Sequence, residues 1–218
     1  MAVVIIGGHS RNVGKTSVAA GLISALREMR WTALKVTQYG HGICSADGSP
    51  CDCASDDHSW AVTEERDRSG ESDTSRFLVA GAERVYWVRT RQGMLAEAVP
   101  RIRRVMEIAD NVIFESNSLM RFVRPDLYLT VLDTSNPDFK DSAREFLDRA
   151  DAIIFQAKDQ KPQWNGVSLK PVSRKPAFRI SPPPYVTSEI VDFVREHLVS
   201  ARKGKQGPRI LGTLSDSE

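Results

Sequence analysis

The chain has 218 residues, of which 41% are hydrophobic and 27% charged, and its formal net charge is +2. A chain of this length is large enough for one α/β domain, or one domain with an elaborated loop, and so small a charge gives no electrostatic case for nucleic acid as a partner. No apolar run approaches the roughly 20 residues that cross a bilayer, and Met1 leads directly into an apolar run with no room for a signal peptide, so the expected location is cytoplasmic, with no membrane partner.

Val3 to Ile6 is an apolar, β-branched run that breaks at Gly7-Gly8 and passes through a short polar loop. Gly14-Lys15-Thr16 then opens a segment with helical spacing at Val18, Leu22, Ile23 and Leu26. A strand, a glycine-bearing loop and a helix in that order turn backbone N–H groups and the positive end of a helix toward one point, which suits an anion. Gly14 admits close backbone approach, Lys15 reaches β- and γ-phosphates, and the Thr16 hydroxyl is placed to ligate Mg²⁺. The expected ligand is therefore ATP or GTP with Mg²⁺. The spacing departs from G-x4-G-K-[ST], because His9 stands where the first glycine belongs and Gly8 lies one residue back.

Thr32 to Val36 reads as a second strand with Lys35 near its end, which by itself reads as a solvated strand-end lysine. Thr37 to Asp73 is the least regular stretch, and a loop of that length inside a compact domain is usually functional or mobile. It holds all three cysteines, Cys44, Cys51 and Cys53, which with His41 and His58 give H-x2-C-x6-C-x-C-x4-H. An odd, clustered set argues against a disulfide framework. Soft thiolates suit zinc or an iron–sulfur cluster, with His58 or a partner subunit supplying a fourth ligand; the alternative is three free thiols near a substrate. Asp73 is expected to cap a helix that Gly81 ends, followed by a strand at Arg84 to Val88.

Gly93 to Ala109 has amphipathic helical spacing, with Pro100 as a kink or break. Asn111 to Glu115 is an apolar strand ending in an acid, and a buried, unpaired Glu there would be costly. Asp126 to Asp133 is the next strand, Asp138 to Ala150 a helix, Ala152 to Phe155 a strand, Ala177 to Ile180 a short strand and Thr187 to Val199 a terminal helix. Gln156 and Asp159 occupy the outer positions of a poor N-K-x-D, which selects no base. From Ala201 the composition is that of a disordered tail.

Strands alternating with helices predict an α/β fold with a mostly parallel sheet flanked by helices on both faces, a single domain over 1–200 with a Cys/His insertion at 37–73 and a tail at 201–218. The run Gly8-His9-Ser10-Arg11-Asn12-Val13-Gly14-Lys15-Thr16 resembles the G-T-x-T-x-V-G-K-T loop of dethiobiotin synthetase and the cobyrinic-acid amidase group. Asp73, Thr74, Arg76, Ala80, Gly81 and Ala82 match the D-[ST]-x-R-x-x-x-A-G-A segment of MobB, the molybdopterin-guanine dinucleotide biosynthesis protein. Phe114-Glu115-Ser116 stands where those proteins read V-E-G, without the glycine.

The resemblance implies a P-loop NTPase of the branch that also holds nitrogenase iron protein and MinD. It implies nucleotide contacts from Gly8, Asn12, Val13, Gly14, Lys15, Thr16 and Ser17, with Asp73 and Arg76 facing the site. Lys15, Lys35 and Glu115 would be catalytic, and Thr16 with Glu115 would hold Mg²⁺. Cys44, Cys51, Cys53 and His58 would hold any zinc or iron–sulfur cluster. The implied activity is that of a GTP-binding accessory factor in molybdenum cofactor maturation, or an ATP-driven synthetase acting on a small carboxylate or amine. A homodimer and a second small-molecule or protein partner are expected. A nucleotide-gated metal or cluster carrier and a nucleotide sensor without turnover are the alternatives.

Overall fold

The structure, a computed structural model, describes residues 1–39, 59–156 and 164–203. The strands are β1 (Val3–Gly8), β2 (Trp31–Tyr39), β3 (Trp60–Glu64), β4 (Arg84–Arg91), β5 (Asn111–Glu115), β6 (Leu127–Asp133), β7 (Ala152–Gln156) and β8 (Ala177–Ile180). The helices are α1 (Lys15–Ala25), α2 (Asp73–Ala80), α3 (Leu95–Glu107), α4 (Asp141–Phe146) and α5 (Ser188–Lys203). The eight strands form one sheet in the order β3-β4-β2-β5-β1-β6-β7-β8. Every neighbouring pair is parallel except β3 and β4. This is the mostly parallel α/β architecture that the alternating pattern predicts.

Alternation along β1 divides the core. Val4 and Ile6 face a layer formed with Val18, Leu22 and Ile23 of α1, Phe77 of α2 and Ile190, Val194 and Leu198 of α5. Val3 and Ile5 face the opposite layer, where Ala98, Ile102 and Val105 of α3 meet Leu34, Val112 and Phe114. A third cluster joins Leu132 and Ile153 to Phe139, Ala143 and Trp164. The core strands are near-continuous apolar runs because both faces are covered. Helices thus flank both faces, and the C-terminal ends of β1, β2, β5 and β6 open on one rim.

Several expectations are corrected. The stretch from Thr37 to Asp73 is not loop throughout, because β2 runs on to Tyr39 and β3 adds an antiparallel edge strand. Cross-strand pairing with β4, from Trp60–Thr90 to Glu64–Tyr86, orders a segment whose own sequence is weakly patterned. Pro100 neither breaks nor bounds α3: the buried stripe of Leu95, Ala98, Val99, Ile102, Val105 and Met106 holds the helix through it. The helix expected over Asp138 to Ala150 is shorter and ends in a tighter turn at Leu147–Arg149. The terminal helix continues to Lys203, past the expected start of the tail. His41, Cys44, Cys51, Cys53, His58, Asp159 and the end of the expected tail lie outside the described residues. No helix among the described residues is long and apolar enough to cross a membrane.

Candidate functional site

The connection between β1 and α1 turns through two left-handed residues, Asn12 at φ 55° and Gly14 at φ 84°. A side chain at Gly14 would be strained by that backbone, and its Cβ would stand 2.5 Å from the Tyr185 ring and 2.9 Å from the Gln156 amide. The loop is braced on both flanks. Asn117, just past β5, accepts the Gly8 N–H (2.9 Å) and donates to the Gly8 carbonyl (2.8 Å), so Gly8 lines the site with its own backbone groups committed. Gln156, at the end of β7, donates its amide to the Val13 carbonyl at 2.6 Å. Its amide therefore pins the loop, a use the N-K-x-D comparison did not suggest.

Helix α1 begins at Lys15, so the amides of Lys15, Thr16 and Ser17 lack intrahelical acceptors and point into the loop's concavity. The Lys15 ammonium donates to the Ser10 carbonyl at 2.5 Å. Burial pulls its pKa down to about 8; Glu115 opposes this, while Lys140 and Lys35 add to it. The cradle thus holds a cation whose charge is poorly compensated.

The carboxylate of Glu115 is buried beside it. Lys35 on β2 and Glu115 on β5 are direct cross-strand partners in the parallel register, which brings the Lys35 ammonium to 3.1 Å from Glu115 Oε1. The other oxygen, Oε2, accepts from the Thr16 hydroxyl at 2.8 Å. Lys35 also donates to Asp73. Burial works against the Lys35 ammonium, but Glu115 and Asp73 outweigh it and raise its pKa.

Asp73 does this because it is not the helix cap. Ser72 is the residue that caps α2, accepting the Ser75 N–H at 3.0 Å. Asp73 is left in the first turn, facing Lys35, and one turn on Arg76 donates to the Ser17 hydroxyl at 2.9 Å. Gly81, at φ 108°, ends the helix as expected.

A further wall comes from the segment after β6. His9 is fully buried; its Nδ1 lies 2.6 Å from the Asp138 carbonyl, which only accepts, so Nδ1 carries the proton. Its Nε2 then accepts the Asp133 N–H at 3.0 Å. Burial lowers the imidazole pKa, which suits this neutral form. The His9 carbonyl accepts the Lys140 N–H at 2.8 Å, and Ser10 donates to Asp138 at 2.6 Å. Lys140 is thereby fixed against the loop. Burial lowers its pKa, and Arg11 and Lys35 add to the effect. Among the described residues no carboxylate lies within ion-pair distance of it.

No protein-family model and no curated protein matches the chain. Among solved structures, the "apo" form of LpxK from Aquifex aeolicus in complex with ATP aligns with a TM-score of 0.46 at 16% identity, over 82% of this chain and 53% of that one. HypB from Helicobacter pylori in complex with nickel aligns with a TM-score of 0.49 at 15% identity, over 95% of this chain and 90% of that one. The chain thus spans about half the length of the LpxK chain. Likeness at this level says nothing of substrate or chemistry, which rest on the geometry above.

The elements enclose a cleft of about 820 Å³ lined by Lys15, Thr16, Lys35, Asp73, Glu115 and Lys140, among others. Lys15, Thr16, Lys35, Asp73 and Glu115, all singled out from the sequence, meet there. Asn12, Gly14 and Ser17 also line it, while Val13 is buried beneath the loop. Lys140, Asn117 and Tyr185 were missed. Asn117 had a local signal, an amide two residues after a strand-end acid; Lys140 and Tyr185 had none, since only the fold brings them to the loop. Among the described residues no group of three or more His, Cys, Asp or Glu side chains stands ready for a metal. A Mg²⁺ ion held largely by waters and phosphate oxygens needs only one or two hard protein donors, and the Thr16 hydroxyl with the Glu115 carboxylate fits that demand.

Proposed function

We propose that this chain is a Mg²⁺-dependent P-loop NTPase that binds a nucleoside triphosphate in the cleft and transfers or hydrolyses its terminal phosphoryl group. The observation that carries the reading is the meeting of Lys15, Thr16 and Glu115 at the start of α1, with Glu115 held by Lys35. The loop amides and Lys15 cradle the β- and γ-phosphates, and the anion supplies the counter-charge that the Lys15 ammonium lacks. Thr16 and Glu115 hold Mg²⁺, directly or through water. When bound, the ion neutralises charge on the phosphate oxygens.

Lys35 and Thr16 each engage one oxygen of the Glu115 carboxylate and so hold it in one orientation. Lys140 faces the terminal phosphate from the opposite wall, where negative charge spreads over the equatorial oxygens during transfer. The work of this site is positioning and electrostatic stabilisation.

A MobB-like or dethiobiotin synthetase-like role is the finer reading. It is supported by the way the second resembling segment reaches the site: Asp73 accepts from Lys35 on β2, and Arg76 donates to Ser17, the residue after the first segment. Beyond Lys35 the cleft continues past Thr37, Gln38, Gln92 and Ser116, which gives a second small molecule a place beside the transferring group.

Phosphate release from MgATP and MgGTP tests the proposal. Wild-type protein should turn over at least one of them, and Glu115→Gln should lower the rate on the order of 10²-fold. Absence of release from either nucleotide, or a Glu115→Gln rate equal to wild type, contradicts it.

A further inference from the structure

The cleft has a second end. Beyond Ser17 it meets a neighbouring hollow of about 460 Å³ between α1 and the segment that leads into α5, and Ser17, Arg76 and Tyr185 line both. Tyr185 is the one aromatic side chain among the described residues lining either space. It is also firmly seated. The next residue, Val186, fits against Gly21 of α1 so closely that a Cβ there would stand 2.6 Å from it. Thr187 then caps α5, its hydroxyl accepting the Ile190 N–H at 3.5 Å. The half-buried ring reaches back over Gly14 and lines the cleft where it meets the hollow, which Glu115 does not line.

From these placements we propose that Tyr185 is the platform on which the nucleobase of the bound nucleotide rests. The proposal rests on the nucleotide reading above and extends it to the base. The triphosphate is directed by the cradle: its terminal phosphate lies toward Glu115 and Lys140, so the nucleoside leaves in the opposite direction, across Gly14 and Ser17. That path leads to Tyr185. Gln156, the residue at the end of β7, is held by Val13 through its amide donor, so the aromatic ring is the surface offered there. An aromatic face accepts any base, because every base has a π-face, so adenine and guanine nucleotides should gain alike from Tyr185. Arg76 and Ser17 edge the same junction with polar groups suited to the sugar.

Calorimetric titration with MgATP, MgGTP and magnesium tripolyphosphate separates a base contact from support of the loop. Wild-type protein should bind both nucleotides more tightly than tripolyphosphate. Tyr185→Ala should weaken both nucleotides roughly tenfold and leave tripolyphosphate unchanged, while Tyr185→Phe should restore nucleotide affinity. Equal loss for all three ligands would show that the ring only braces Gly14 and would overturn the proposal. So would unchanged nucleotide affinity in Tyr185→Ala, or wild-type affinities that are the same with and without a nucleoside. Wild-type protein that binds neither tripolyphosphate nor nucleotide would instead remove the underlying nucleotide reading. Thermal melting of both variants beside wild type shows whether the fold is kept.

Discussion

At the scale of single residues, the site stores charge in an unfavourable place. Lys15 is a cation enclosed by its own loop, with a pKa lowered to about 8 by burial, and an anion in the cradle would favour its charged form. His9 shows the opposite strategy, a buried imidazole that is neutral because both ring nitrogens are committed. Its protonation would place a second N–H against the Asp133 N–H. In the unfolded chain a histidine takes up a proton near pH ~6.5, whereas folded His9, lowered by burial, does so only at more acid pH. Below pH ~6.5 the unfolded state therefore binds more protons, and stability that is complete above that pH is lost as the pH falls. Urea unfolding between pH 7.5 and 5 is expected to show this loss, and His9→Gln should flatten the slope whatever it does to stability at pH 7.5. Equal slopes would contradict the assignment. Lys15 and Thr16 were legible in the sequence because local order along the chain fixes them, and Glu115 stood out as the acid that ends an apolar strand. The bond between Lys35 and Glu115 was not, since it depends on which strands become neighbours, and of the two roles read for Asp73 the helix cap went to Ser72, one position earlier.

At the scale of elements, two segments converge on the loop between β1 and α1. Helix α2 brings Asp73 and Arg76 by its first turns, while the connection from β6 to α4 brings Lys140 through its bond to the His9 carbonyl. Cys-loop chemistry aside, the strands and long helices follow from apolar periodicity; β3 was hidden because its pairing with β4 comes from tertiary contact and its own pattern is weak. Pro100 misled for a related reason, a local penalty outweighed by a long buried stripe. The position of Lys140 leads to a kinetic expectation. If its ammonium faces the terminal phosphate, Lys140→Ala should lower kcat by at least about tenfold, reflecting one lost charge-assisted contact of ~1.5–3 kcal/mol in the transition state, with a smaller change in KM. Lys140→Arg should recover part of it. Steady-state phosphate release decides the matter, and a Lys140→Ala enzyme with unaltered kcat would remove Lys140 from the reaction.

At the scale of the molecule, β1 lies inside the sheet with β5 and β6 on either side, so the loop after it opens where strand ends from both halves meet. That is the crevice at the carboxyl ends of parallel strands where α/β sheets bind ligands. The class of fold was readable from alternation alone. The strand order, which sets Glu115 against Lys35 and carries Tyr185 over Gly14, was not. Everything functional in the account depends on the cradle accepting a Mg–nucleotide with Lys15 as its cation. Calorimetric titration of wild-type and Lys15→Ala protein with MgATP and MgGTP tests this most directly. Wild type is expected to bind at least one nucleotide saturably, and Lys15→Ala to lose at least about tenfold in affinity, as for removal of a charged hydrogen bond. Wild-type protein with no affinity for either nucleotide, or a Lys15→Ala variant that binds as well as wild type, would contradict it.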